Sequence, residues 1–375
     1  MLSDEDIEKY RLEFPIVPEY AYLNHASNAP ESRRVQERIQ AHLRDCEYGD
    51  LKEETWHQYA ERTRQHLARL IHAHPDEVTF VQSVTAAAAV VAQALRLRPG
   101  DNVVTPVNQF PANIYPWLNL KSLGVETRLV RLPRDGSLDV LADAIDRRTR
   151  LVSLCFVEYD DGWQHDLAAV GRLCRERNAL FFVDGTQGVG ALHFDVREIG
   201  ADFVAANGVK WLMGPWGQGM LYVRGELLPT LFTPTLGWLS VENPAAFTDL
   251  NQPFKQSARR FEGGCQNLLG IAGLGASVEM LLEVGIPSIE ERLLWLTALA
   301  ASLVVEKGYE VVTKMVDDHR SGILSFRHPT MGARAVYEKL LKDKVVTSER
   351  NGLIRISPHF YNNAEDIERL IAALP

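Results

Sequence analysis

A doubly wound, mostly parallel α/β domain followed by a smaller α+β domain is what this chain predicts, on three observations. Between about residues 64 and 225, short β-rich runs alternate with helical periods, the pattern of right-handed βαβ crossovers. The run at 151–157 is apolar without interruption, as a strand covered on both faces should be. After about residue 236 the texture changes to a polar, proline-containing stretch, a glycine-rich segment and two long apolar helical periods. At roughly 150 residues per domain, 375 residues suggest two domains: 15–255, and 256–375 together with the N-terminal 1–14.

The elements follow in order. Residues 78–82 predict a strand, and an Ala-rich stretch at 85–97 predicts a helix that Pro99-Gly100 stops. A strand at 102–106, a helix near 111–123 and an alternating strand at 125–132 come next. Within 138–146, Leu138, Leu141, Ala142 and Ile145 fall at i, i+3, i+4 and i+7, one face of a helix. The buried run 151–157 precedes a helix face made by Leu167, Val170, Leu173 and Cys174, then strands at 180–183 and 202–206. Beyond the glycine-rich Arg260-Phe-Glu-Gly-Gly-Cys-Gln266, helices are expected at 268–283 and 289–307. A strand at 322–326, a helix at 333–341, a strand at 353–357 and an amphipathic helix after Asn363 complete the smaller domain.

Composition narrows the function. Apolar residues make up 46% and charged ones 24%, the balance of a globular protein. A net charge of −9 speaks against nucleic acid or an anionic membrane surface as partner, since both need a basic face. The most apolar stretch, 294–305, is about half the length of a membrane span, and the acidic N-terminus has no signal-peptide core. Cys46, Cys155, Cys174 and Cys265 are scattered singly without zinc spacing, so free thiols and no metal are expected, with Cys265 a small buried filler. These features predict a soluble, reduced, cytoplasmic protein.

Nucleotide-binding glycine fingerprints, a serine elbow and the His-Glu-x-x-His zinc motif are all missing from the sequence. What stands out is a pair. Asp184 follows a buried strand in Phe181-Phe-Val-Asp-Gly-Thr-Gln187, and Lys210 follows another in Asn207-Gly-Val-Lys-Trp-Leu-Met-Gly214. Taken singly, one would be a turn former and the other a surface lysine. In a parallel sheet both open at the same carboxyl edge, where ligands bind. An acid and an amine facing one crevice suit pyridoxal phosphate: the lysine forms a Schiff base and the carboxylate keeps the ring nitrogen protonated.

From these residues the chain resembles the pyridoxal-phosphate enzymes of aminotransferase class V, of the cysteine desulfurase, selenocysteine lyase and isopenicillin-N-epimerase-like type. The matching segments include Tyr22-Leu-Asn-His-Ala26, Thr79-Phe-Val-Gln-Ser-Val-Thr85, Phe110-Pro-Ala-Asn-Ile-Tyr-Pro-Trp117, Val183-Asp-Gly-Thr-Gln187, Gly217-Gln-Gly-Met-Leu-Tyr-Val223, Arg260-Phe-Glu-Gly-Gly264 and Ile354-Arg-Ile-Ser-Pro-His359. The resemblance implies a fold-type-I enzyme with Lys210 as the covalent lysine and proton shuttle, and Asp184 on the ring nitrogen. It implies Gln187 near the ring hydroxyl, Phe110 over the ring, and Thr85 with the Val84, Thr85 and Ala86 amides around the phosphate, joined by Asn207. Arg355 would hold the carboxylate of a small amino-acid substrate, with His25 and Asn28 at the substrate end. Gly264 and Cys265 would reach the phosphate of a neighbouring subunit, implying a homodimer with shared active sites.

Departures from the family pattern matter as well. Val209 stands where many relatives have histidine, Cys265 where threonine is usual, and Tyr159 near the place of an asparagine. The segment 345–353 carries no cysteine, although desulfurases that relay a persulfide carry theirs in this region. The favoured activity is therefore of aminotransferase type, with C–S β-elimination, a desulfurase-like activity or epimerisation as alternatives. A non-catalytic binding protein on the same fold is a further alternative, disfavoured by retention of both Asp184 and Lys210.

Overall fold

The structure is a computed structural model describing residues 2–375; Met1, part of the N-terminal segment assigned above, lies outside them. The chain opens with α1 (Asp4–Arg11), the short strand β1 (Ala21–Tyr22), α2 (Arg33–Cys46) and α3 (Glu53–Leu70). The alternation then runs β2 (Val78–Val81), α4 (Val84–Ala94), β3 (Asn102–Pro106), α5 (Tyr115–Leu118), β4 (Glu126–Val130), α6 (Asp139–Ala144) and β5 (Thr149–Cys155). It continues through α7 (Leu167–Glu176), β6 (Leu180–Asp184), α8 (Val196–Ile199), β7 (Phe203–Asn207) and β8 (Gly219–Val223). Two long helices follow, α9 (Leu268–Val284) and α10 (Ile286–Glu306), then β9 (Glu310–Val311), β10 (Leu324–Arg327) and α11 (Ala333–Lys342). Strands β11 (Val345–Val346), β12 (Ser348–Arg350) and β13 (Leu353–Ile356) and helix α12 (Ala364–Ala373) close the chain.

Seven strands form the large sheet in the order β2-β8-β7-β6-β5-β3-β4, with β8 antiparallel to both neighbours. Side chains alternate between its two faces, as the period of two requires. Val104, Val152, Leu154, Phe181, Val183 and Val204 enter one core; Val103, Leu151, Phe182 and Phe203 enter the other, against Ala87, Ala88 and Val91 of α4. That double burial explains the unbroken apolar run seen in the sequence. A third core joins Leu296, Phe326, Ile354, Ile356 and Leu370 to Ala21 and Leu23 from the N-terminal segment. It covers the antiparallel sheet β12-β13-β10-β9, and β1 pairs in parallel with β11 beside it.

Three elements differ from expectation. The helix expected over 111–123 shrinks to Tyr115–Leu118, flanked by 3₁₀ turns. Pro111 and Pro116 each remove a backbone donor there, which shortens any continuous helix. Helices α2 and α3 precede the region where periodicity was legible; α2 buries only Val35 and His42. Helix α9 instead buries residues around its whole circumference and packs on α2 and α3. The approach to α3 is close: a Cβ on Gly275 would lie 2.2 Å from Thr63 Oγ1. Among the described residues no single helix is long and apolar enough to cross a membrane; α9 and α10 pass such a test only as a pair bent by 81°.

Candidate active site

The carboxyl ends of β5, β6 and β7 place Cys155, Asp184 and Asn207 side by side; Cys155 is in register with Asp184, and Asp184 with Ala205. They border a cleft of about 160 Å³. Ser83, Val84 and Thr85 close one end, Phe110 and Tyr159 stand at its rim, and Gln187 and Lys210 complete the lining. Ser83 caps α4: its hydroxyl accepts from the Ala86 N–H at 3.2 Å. The first two amides of the helix, Val84 and Thr85, have no intrahelical partner, and the positive end of the helix dipole faces the cleft.

Lys210 sits in a turn held from several sides. The Val209 carbonyl accepts from the Ala29 N–H at 2.8 Å, and the Trp211 indole N–H donates to Gln187 Oε1 at 2.8 Å. His359 Nε2 donates to the Trp211 carbonyl at 3.3 Å, its tautomer fixed because Nδ1 already accepts from the Phe360 N–H at 2.9 Å. The amine itself makes no ion pair or hydrogen bond among the described residues and lies 5.2 Å from the centre of the Phe110 ring. Burial pulls its pKa down to about 8; Asp184 works against that shift, while Arg355 and Arg350 add to it. Burial pushes the Asp184 carboxyl up, opposed by hydrogen bonds from Thr186 and by the charge of Lys210. The Thr186 N–H donates to Asp184 Oδ1 at 3.0 Å, and Asn207 Oδ1 is buried without a partner. A free amine, a shielded carboxylate and two open helix amides fit a bound phosphorylated pyridine.

The structure gathers Val84, Thr85, Phe110, Asp184, Gln187, Asn207 and Lys210 around the one cleft. It leaves six expected residues outside. Ala86 spends its N–H on Ser83 and does not line the cleft. His25 is fully buried, with Nδ1 donating to the Ser357 carbonyl at 3.0 Å and Nε2 accepting from the Tyr361 hydroxyl at 2.9 Å, so it has no nitrogen left for a substrate. Asn28 is represented by its backbone, whose carbonyl accepts from the Tyr22 hydroxyl at 2.7 Å. Gly264 and Cys265 line a separate cleft of about 390 Å³, and Cys265 is exposed rather than the buried filler expected of it. Arg355 lies one layer behind the rim: it is buried and donates to Ser348 Oγ at 3.1 Å, Ser27 Oγ at 2.8 Å and the Tyr159 carbonyl. Burial, then Arg350, lowers its pKa to about 9.

Sequence reasoning missed other contributors. Ser83, directly before an apolar helix, was readable as an N-cap. Cys155, Glu158 and His165 bring ligand-type atoms within 4.8 Å of one another at the side of the cleft, which no spacing rule announces. Glu158 Oε1 already takes Arg134 Nη1 at 3.3 Å and His165 Nε2 at 3.0 Å, so a guanidinium supplies positive charge there. Opposite, β12 and β13 are joined by the two residues Asn351 and Gly352, with φ of 52° and 78°. Both values lie in the left-handed region that tight hairpins need.

A model of the aminotransferase class-V family matches residues 21–370. The chain belongs to that family. A probable cysteine desulfurase of Methanothermobacter thermautotrophicus is 30% identical over 395 residues, covering 97% of this chain and 96% of the relative. In fold, this class-V chain superposes on a cysteine desulfurase from Thermococcus onnurineus with a TM-score of 0.88 at 24% identity, covering 99% and 97% of the two chains. It also matches a cystine C–S lyase bound to its product cysteine persulfide, with a TM-score of 0.89 at 22% identity, covering 96% and 98%. A mutant of that lyase carries glycine linked covalently to its pyridoxal phosphate. This class-V member is a pyridoxal-phosphate-dependent enzyme of transferase or lyase type, and pyridoxal phosphate is its cofactor.

Proposed function

We propose that this class-V enzyme is a C–S lyase for cysteine or a cysteine derivative, releasing the sulfur-bearing fragment without first binding sulfur on a cysteine of its own. The observation that carries this reading is the two-residue Asn351-Gly352 turn. It occupies the stretch in which persulfide-relaying relatives are expected to carry their nucleophile, and it offers neither a thiol nor a mobile loop. Cys155 is the one thiol lining the cleft. It is buried with its pKa pushed well up by burial, which leaves it protonated and a poor nucleophile. The names borne by the relatives, cysteine desulfurase and cystine C–S lyase, favour sulfur chemistry over the aminotransferase reading.

Pyridoxal phosphate, when bound, supplies a carbonyl for the substrate amine and a ring that accepts the electron pair of the broken C–H bond. The Val84 and Thr85 amides, with Thr85 and Asn207, would hold its phosphate. Asp184 would hold a proton at the ring nitrogen, and Gln187, whose second amide proton is unclaimed, would face the ring hydroxyl. Lys210 takes the proton from the substrate α-carbon, for which a neutral amine is required. Arg355 orients the substrate by its carboxylate, and Phe110 and Tyr159 shield the reacting carbon from water. Overall the Cα–H and Cβ–S bonds break, sulfur leaves with the bonding pair as hydrogen sulfide from cysteine or as a thiol or persulfide from its derivatives, and water yields a 2-oxo acid and ammonia. We further propose a dimer in which Gly264 and Cys265 face the partner's cleft, supported by exposed Trp238, Phe247 and Leu250 nearby in the chain; sedimentation equilibrium tests it, and a monomer would refute it.

The deciding experiment supplies cysteine and cystine to the holoenzyme and measures every product. Pyruvate and ammonia in equal amounts are expected. Alanine in place of pyruvate would make the enzyme a desulfurase, and a 2-oxo acid without ammonia would make it an aminotransferase.

A further inference from the structure

Two guanidinium groups converge on a single hydroxyl beside the cleft. Arg355 Nη2 donates to Ser27 Oγ at 2.8 Å, and Arg350 Nη2 donates to the same oxygen at 3.1 Å. Neither has a carboxylate oxygen within 4.0 Å among the described residues. Asp160 is the acid near enough to act on Arg355, and its Oδ2 is taken up by Asn351 Nδ2 at 3.3 Å. Buried arginines are almost always paired with an acid, and two cations sharing a neutral oxygen repel each other until an anion arrives. Their positions differ. Arg355 is buried on β13, behind Tyr159, whereas Arg350 is exposed at the last residue of β12, where the hairpin turn begins. Arg355 Nη1 donates to the carbonyl of Tyr159, a cleft-lining residue, and Asn351, next to Arg350, donates to the Tyr159 hydroxyl at 3.3 Å, so both guanidinium groups stand behind that edge of the cleft.

Arg355 accounts for one carboxylate under the function proposed above. Nothing in that reading uses Arg350, whose remaining donors have no acid to meet. We infer that Arg350 reads a second acidic group, so that the enzyme selects amino acids whose β-substituent ends in a carboxylate or similar oxyanion over neutral ones of equal size. The inference deepens the lyase reading by naming the substrate class, but charge selection does not depend on which bond breaks. A fork of two N–H groups suits such an oxyanion better than a point charge.

Ligands that cannot react separate the two ideas. Isothermal titration calorimetry of the holoenzyme with succinate and glutarate against propionate and butyrate reads charge selection directly. The dicarboxylates are expected to bind about tenfold more tightly or better. Arg350→Gln is expected to bring that ratio close to one, and Arg350→Lys to leave it in between, since it keeps the charge and loses the fork. Equal affinities in the wild type, or an undiminished ratio in Arg350→Gln, would overturn the inference. Alanine as the product of cysteine turnover, with the dicarboxylate preference intact, would remove the lyase reading and leave this one standing.

Discussion

Lys210 shows how much a single buried position decides. A free lysine titrates near 10.4, so fewer than about one amine in a thousand is neutral at pH 7, whereas a pKa of about 8 leaves roughly one in ten. The rate at which apoprotein captures pyridoxal phosphate should therefore climb about tenfold per pH unit below 8 and level off above it, read by stopped-flow absorbance. A plateau reached only near pH 10 would show the amine to be solvated. The same shift affects folding: between about 8 and 10.5 the unfolded chain binds a proton that the folded one rejects, so stability from this group rises with pH across that window. Lys210 and Asp184 were legible in the sequence because each follows a buried strand and has a glycine within two residues, a pairing with a chemical meaning. Arg350 and Ser27 were not, because they meet across 323 residues and neither belongs to a periodic pattern. His25 was misread for a related reason: proximity to a motif says nothing about whether both ring nitrogens are already taken.

Elements follow the same logic of packing over local pattern. Helix α9 was readable to within a residue because it is apolar on every side, and strand β5, placed two residues too late at each end, because it is buried on both faces. Strand β12 was not, since an edge strand of three residues, Ser348-Glu349-Arg350, offers no alternation to read. The α3–α9 contact gives a direct test of helix packing. Gly275→Ala should gain about 1 kcal/mol of helix propensity yet lose more than that, because its Cβ would meet Thr63 Oγ1 at 2.2 Å. A net destabilisation of about 1–2 kcal/mol is expected from urea unfolding. Adding Thr63→Ala should recover part of it, even though that hydroxyl donates to the Ile271 carbonyl at 3.2 Å. A neutral or stabilising Gly275→Ala would mean that the helices part without cost.

At the scale of the whole molecule, the two halves meet at a buried set of rings. His25 from the N-terminal segment, His359 and Tyr361 from the C-terminal one and Trp211 beside the lysine stack edge and face, with the two imidazoles 5.0 Å apart. Burial lowers the pKa of both histidines, that of His359 to about 3 and that of His25 well below its usual value, the latter helped by His359. Each has its unprotonated nitrogen already accepting a hydrogen bond, so protonation would break one. The sign follows: below about pH 6.5 the unfolded chain takes up protons that the folded chain refuses, and stability falls as the solution is acidified. Each histidine contributes a slope of about 1.4 kcal/mol per pH unit in that range. Unfolding curves between pH 4 and 7 should lose about one proton of slope in His359→Gln; an unchanged slope would show that His359 titrates normally in the folded state. The fold class was open to sequence reasoning because long apolar runs repeat the same message, whereas this junction is made of isolated polar rings far apart in the chain.

The hairpin that ends in Asn351 and Gly352 has a consequence beyond the cleft. An enzyme with a swinging thiol can carry sulfur to a docked acceptor and hand it over by contact. A two-residue tip without a thiol has no such reach, so on the proposed chemistry the sulfur-bearing product departs as a free molecule. Its delivery is then a matter of diffusion and concentration: any acceptor competes with every reductant it meets on the way, and supply rises and falls with turnover rather than with the presence of a docked partner.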